Sequence, residues 1–169
     1  MALMLARSLG QDDAVNLALV DGQKQVKPRV AKQKVSKFDP RVSALTLASQ
    51  SMFDSLGLWQ DQIALHACPY EDMYVWDAEG TGNISFSALD IHQTTLGHIV
   101  ENTVITKTLH EALAQQTTIK QFTGIQVSSY QVIADFHHLT LADGTELHGK
   151  LVIAADGANS FIRQEAAFE

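Results

Sequence analysis

Apolar and polar positions along this chain change period several times, and the changes mark its elements. Met1 to Leu9 is apolar almost all round and rich in Ala, Leu and Met, which predicts a buried helix, with Gly10 as its stop. Asn16 to Val20 is a short apolar run closed by Asp21-Gly22, the pattern of a buried strand. Helix then buried strand is the second half of a βαβ unit, so the chain is expected to begin inside its first structural unit. Arg41 to Leu56 carries Val42, Leu45, Ala48, Phe53 and Leu56 at roughly helical spacing and predicts a second helix ended by Gly57.

Beyond it the pattern shortens. Met73 to Asp77 and Asn83 to Leu89 are aromatic and β-branched, which predicts two strands joined through Gly80 and Gly82. Leu96 to Val100 leads into an amphipathic helix over Val104 to Leu113, and Ile119 to Val127 predicts a strand. His138 to Ala142 and Thr145 to His148 flank Asp143-Gly144, a two-residue hairpin signal. Leu151 to Ala155 (LVIAA) predicts a buried parallel strand running into Asp156-Gly157, and Ser160 to Ala167 returns to helix. The alternation predicts an α/β sheet domain interrupted by a β excursion. The expected divisions are 1–70, the excursion 71–99, and 100–169.

Composition sharpens what this domain can be. The chain has 169 residues, 46% of them hydrophobic, enough for one core and too apolar for a disordered chain. Its net charge of −7 argues against a general nucleic-acid binder. The charge is uneven: Lys24, Lys27, Arg29, Lys32, Lys34, Lys37 and Arg41 stand against Asp39 as the one acid between Lys24 and Arg41. Such a run is a solvated loop or a loop that meets an anion. A lone cysteine, Cys68, rules out an internal disulfide and a cysteine-built metal site, so a soluble protein of a reducing compartment is expected. No apolar run approaches the roughly 18 residues of a membrane span.

Candidate chemistry is sparse. The seven histidines show no ligand spacing, and adjacent His137 and His138 point to opposite faces of a strand, so no metal site is expected. No nucleophile motif or phosphate loop is present. Asp156 closes the LVIAA run just before a helix, where α/β sheets bind ligands, and Gly157 would let backbone approach one. The alternative is a plain strand-to-helix turn with Asp156 as cap. Asp21 ends an apolar run in the same way, and such an acid takes ribose hydroxyls in dinucleotide-binding units.

LVIAADGANSFIR resembles the DG motif of the class A flavoprotein aromatic hydroxylases, the group of para-hydroxybenzoate hydroxylase. Within that group, Phe38 to Gln60 (FDPRVSALTLASQSMFDSLGLWQ), Met73 to Phe86 (MYVWDAEGTGNISF) and Leu96 to Ile105 (LGHIVENTVI) resemble the hydroxylases of ubiquinone biosynthesis, the 2-octaprenylphenol hydroxylase branch foremost. The resemblance implies a Rossmann-like FAD-binding domain of the para-hydroxybenzoate hydroxylase type, with a β excursion from the substrate domain. It implies a monooxygenase that hydroxylates a polyprenylated phenol, using NAD(P)H and oxygen through a flavin C4a-hydroperoxide. It carries cofactor contacts onto Asp21, Arg41, Asn102, Val127, Asp156 and Gly157, and no catalytic side chain.

The family's first strand, its G-x-G-x-x-G turn and its later G-D motif have no counterpart here. An internal piece of a longer hydroxylase is therefore expected, binding FAD weakly or not at all by itself and not turning over. A cytoplasmic location is implied, with work at a membrane surface or in a biosynthetic complex, and unpaired strand edges favour self-association. The competing reading is a non-enzymatic α/β module that self-associates and binds no flavin. A nicotinamide-dependent dehydrogenase is disfavoured by the excursion and the DG motif.

Overall fold

The structure is a computed structural model that describes residues 2–9, 15–23 and 38–166. Gly10, Asp12, Asp13 and the basic run from Lys24 to Lys37 lie outside the described residues. The chain divides into two compact units.

Among the described residues the first unit takes in 3–8 and 38–116. Helix α1 (Ala2–Leu9) buries Leu3 and Ala6, three apart on one face, and Ser55 donates to the Met4 sulfur at 3.7 Å. Strand β2 (Val42–Thr46) pairs antiparallel with β6 (Gly97–Glu101), which also pairs with the short β3 (Cys68–Tyr70). The predicted helix from Arg41 is thus corrected: five residues of strand precede α2 (Leu47–Ser55). Ser43 and Leu45 turn inward with a period of two, and Thr46 caps α2 by accepting from the Ser49 N–H at 3.3 Å. Apolar spacing alone passes over that cap.

After α2 the chain makes a π-helical turn (Trp59–Ile63) and a short 3-10 turn (Ala64–His66). Trp59 and Ile63 are buried and, with Leu58, Ala88, Val100 and Leu113, form the core of this unit. Helix α3 (Asn102–Ala114) follows β6 directly and packs on it and on the π-helical turn. The excursion is a two-stranded hairpin, β4 (Asp72–Trp76) with β5 (Asn83–Ser87), closed by a 3-10 turn at Ala88–Ile91. Trp76 is 65% exposed and stacks on Tyr74, so this tryptophan is not a core residue.

Among the described residues the second unit takes in 9, 15–23 and 117–166. Strand β1 (Leu17–Asp21) pairs parallel with β7 (Ile119–Thr123), from Leu17 opposite Ile119 to Asp21 opposite Thr123. The single strand predicted from Ile119 to Val127 is two strands, because Gly124 takes φ +73° and turns the chain into β8 (Val127–Ile133). A three-stranded antiparallel sheet follows in the order β10 (Glu146–Gly149), β9 (Phe136–Leu141), β8. Its hairpin loop holds three residues, not two: the Leu141 carbonyl accepts from the Gly144 N–H at 2.9 Å, and the Leu141 N–H donates to the Thr145 carbonyl at 2.8 Å. Gly144, at φ +86°, takes the left-handed position that such loops need.

Leu151 to Ala155 is not a strand. Among the described residues no strand pairs with it, and Leu151 and Ile153 stand 73% and 43% exposed. A buried parallel strand is defined by neighbours on both edges and both faces, and the described residues supply neither. The chain re-enters regular structure at α4 (Phe161–Glu165), which buries Ile162.

Candidate functional site

The six residues singled out from the sequence fall into two groups, one in each unit. In the second unit Asp21 lies at the carboxyl end of β1, the end of a parallel pair where ligands bind in open α/β sheets. Its carboxylate accepts from the Gln23 N–H at 2.9 Å, an Asx turn that fixes the side chain at the strand end. Its carbonyl accepts from the N–H groups of Gly124 at 2.8 Å and Ile125 at 3.4 Å. The loop between β7 and β8 is thereby tied to the end of β1. Gln126 lies against Gly22, where an added Cβ would come within 3.1 Å of the Gln126 side chain. Val127 begins β8 just beyond it, so Asp21 and the backbone before Val127 share one corner of this unit.

Asp156 has a structural duty at α4. It accepts from the Ile162 N–H at 3.4 Å, and a hydrogen bond from Ser160 holds its carboxyl below the ordinary aspartate range. Ser160 is itself the N-cap, accepting from the Arg163 N–H at 3.0 Å. The N-cap of α4 is thus Ser160, with Asp156 as a second acceptor in the same first turn. Gly157 adopts φ +89°, and a Cβ placed there would meet nothing within 4 Å, so its backbone faces open space.

In the first unit Arg41 and Asn102 are held together. The Asn102 N–H donates to the Arg41 carbonyl at 2.9 Å, and the Ser43 hydroxyl donates to Asn102 Oδ1 at 2.6 Å. Asp39 joins them: its N–H donates to Glu101 Oε2 at 2.6 Å, and its carboxylate accepts from the Arg41 backbone at 3.0 Å and side chain at 3.3 Å. Those contacts from Arg41 lower the Asp39 pKa, the backbone hydrogen bond most. The Arg41 side chain stays 77% exposed and presents a fixed cation at the surface. Asn102 opens α3; the residue before it, Glu101, is the N-cap, and its carboxylate is engaged by Asp39 and accepts from no N–H of the helix's first turn. An exposed guanidinium beside a helix N-terminus is suited to an anion.

Sequence reasoning missed Ser43, Glu101, Gln126 and Ser160. Of these Ser160 carried a signal, a serine just before an apolar helical run. Ser43 and Glu101 matter through the pairing of β2 with β6, which no local pattern announces. Among the described residues no three histidine, cysteine or carboxylate side chains gather as a metal site, and no helix is long and apolar enough to cross a membrane.

No protein-family model matches the chain. Against curated proteins it is 35% identical over 131 residues to the 3-demethoxyubiquinol 3-hydroxylase of Escherichia coli, covering 78% of this chain and 33% of that protein. It is 31% identical over 179 residues to the mitochondrial ubiquinone biosynthesis monooxygenase COQ6 of Rattus norvegicus, covering 100% of this chain and 36% of that protein. The chain thus spans about a third of the length of the curated relatives it matches. Among solved structures, the p-nitrophenol 4-monooxygenase of Pseudomonas putida matches at a TM-score of 0.65 and 20% identity, over 97% of this chain and 40% of that one. The flavin-dependent monooxygenase PieE, solved with FAD and substrate, matches at 0.68 and 17% identity, over 98% of this chain and 29% of that one. The chain has the mixed α/β fold of one segment of such enzymes.

Proposed function

We propose that this chain forms the flavin-binding part of an FAD-dependent monooxygenase that hydroxylates a polyprenylated phenol in ubiquinone biosynthesis, with NAD(P)H as reductant. The carrying observation is the similarity to curated ubiquinone-biosynthesis hydroxylases over more than three quarters of the chain. It also supports the enzyme over a module without flavin. The finer fold we assign is Rossmann-like, of the para-hydroxybenzoate hydroxylase type, and the branch remains that of the 2-octaprenylphenol hydroxylases.

The residues present fit FAD by their donor chemistry. Asp21 offers a carboxylate at a parallel strand end for ribose hydroxyls. Arg41 and the N-terminus of α3 at Asn102 offer positive charge for a pyrophosphate or an electron-rich ring. Val127, which opens β8, would offer backbone to an adenine, and Gly157 offers backbone with no Cβ in the way. When bound, FAD supplies hydride acceptance and oxygen activation, so the chain's own residues are left to bind, orient and keep water out. Asp156 contributes by holding the turn that carries Gly157. The 169 residues contain no G-x-G-x-x-G turn to cradle the phosphates, so the affinity of the chain alone is expected to be weaker than micromolar.

The test is an FAD titration of the 169-residue chain followed by flavin fluorescence, with Asp21→Ala and Arg41→Ala alongside. The expected result is weak saturable quenching that each substitution reduces several-fold. Quenching indifferent to both substitutions overturns the reading.

A further inference from the structure

The three-residue loop of the last hairpin sets a register that puts His138 directly opposite His148. Directly opposite residues of an antiparallel pair share a face, and here the two imidazoles lie 4.2 Å apart between centroids, tilted by 45°. The tilt brings ring edges toward each other and keeps the rings from stacking flat. Glu146, two residues before His148 and so on the same face, has its carboxylate 3.8 Å from His148 Nε2. That separation is too long for a hydrogen bond, so Glu146 adds negative charge without occupying the ring nitrogen.

We propose that His138 and His148 form a two-histidine site for a divalent transition-metal ion, with Glu146 offsetting the charge of the ion and water completing its shell. Metal–imidazole bonds of about 2.1 Å at the tetrahedral angle need their nitrogens about 3.4 Å apart, a span within reach of two rings whose centroids lie 4.2 Å apart. His137, on the opposite face, is engaged: it shares a 2.7 Å hydrogen bond with the Tyr130 hydroxyl. The site therefore has two protein nitrogens, and its affinity is modest. Paired neutral imidazoles select copper, nickel and zinc over magnesium and calcium. The ligands belong to adjacent strands, so a bound ion clamps β9 to β10. This site is independent of the flavin reading.

The experiment is a calorimetric titration of the chain with zinc chloride at about pH 7.5. Expected is saturable binding of one zinc ion, weakened by about tenfold or more in His138→Ala and in His148→Ala, less in Glu146→Gln, and unchanged in His66→Ala. Magnesium chloride is expected to give no heat. Circular dichroism establishes that each variant is folded. A second readout needs no variant: nickel added to labelled wild-type protein should broaden backbone resonances around 137–149 before any others. Zinc binding indifferent to both histidine substitutions, no saturable binding at neutral pH, or broadening that starts elsewhere would each overturn the site.

Discussion

The carboxylate of Asp156 reaches six residues forward to the backbone N–H of Ile162, 3.4 Å away, and closes the first turn of α4 on the loop that carries Gly157. Ser160 works in the same turn, accepting from the Arg163 N–H and hydrogen-bonding to Asp156. Removing the hydroxyl takes away both the cap and the Asp156 partner. Ser160→Ala is expected to lower stability by about 1 kcal/mol, measured by urea unfolding, with no change in the slope of the transition.

Asp39, Asp143 and Asp156 all have carboxyls held below the ordinary aspartate value of 3.8. The leading causes are the Arg41 N–H for Asp39, the Thr145 N–H for Asp143 and Ser160 for Asp156. A depressed folded value means that the ionised form is favoured by folding. The resulting stability is fully present above the unfolded value and is lost as pH falls through the lowered folded values. Carboxyl NMR titration should show these three aspartates titrating below 3.8, and Thr145→Pro, which removes the donor to Asp143, should raise Asp143 alone.

Ile63 is fully buried in the π-helical turn, and β6 runs through the same unit with Gly97 pressed against its neighbour. Ile63→Ala leaves a cavity and is expected to cost about 2–5 kcal/mol. A Cβ on Gly97 would overlap the Leu45 carbonyl of β2 and sit 3.0 Å from the Tyr70 hydroxyl. Gly97→Ala should therefore destabilise the β2–β6–β3 sheet by about 1–3 kcal/mol, whereas Gly82→Ala, with nothing near its Cβ, should be almost neutral. Chemical denaturation of the three variants checks the ranking.

The two tryptophans stand in opposite surroundings. Trp59 is buried with its ring 5.0 Å from that of His98, and Trp76 is exposed on the β4–β5 hairpin. Acrylamide should quench a red-shifted component that Trp76→Phe removes, and leave a blue-shifted component that Trp59→Phe removes.

Local signals carried the sequence reading wherever a residue's role depends on its neighbours in the chain. Asp21 at the end of β1, the helix read from Val104 that is α3, and the two strands around Gly80 and Gly82 were legible because strand and helix periods declare themselves within a few residues. Leu151 to Ala155 was misread because an apolar run says nothing about whether partner strands lie beside it. Arg41 to Leu56 was misread because Val42, Leu45 and Ala48 fit a helical spacing, while the cap at Thr46 and the pairing with β6 decide otherwise. The hairpin shows how small the missing information can be. A two-residue turn at Asp143-Gly144 would set His138 opposite Gly149; the three-residue loop moves the pairing by one position and sets it opposite His148. Arg41 is held by Asp39, two residues away, and by Asn102, far along the chain and brought beside it by the pairing of β2 with β6.

The flavin reading stands or falls on where FAD touches the chain. Titrating FAD into the nitrogen-15-labelled 169-residue protein, and following each backbone amide by NMR, reads that out even for a weak ligand. The expected result is a saturable set of shifts at Asp21 to Gln23, Gln126 and Val127, Gly157 to Ser160, and Arg41 with Asn102, the rest of the spectrum staying still. Shifts that leave all of these amides unmoved, or that scatter evenly over the surface, would contradict it.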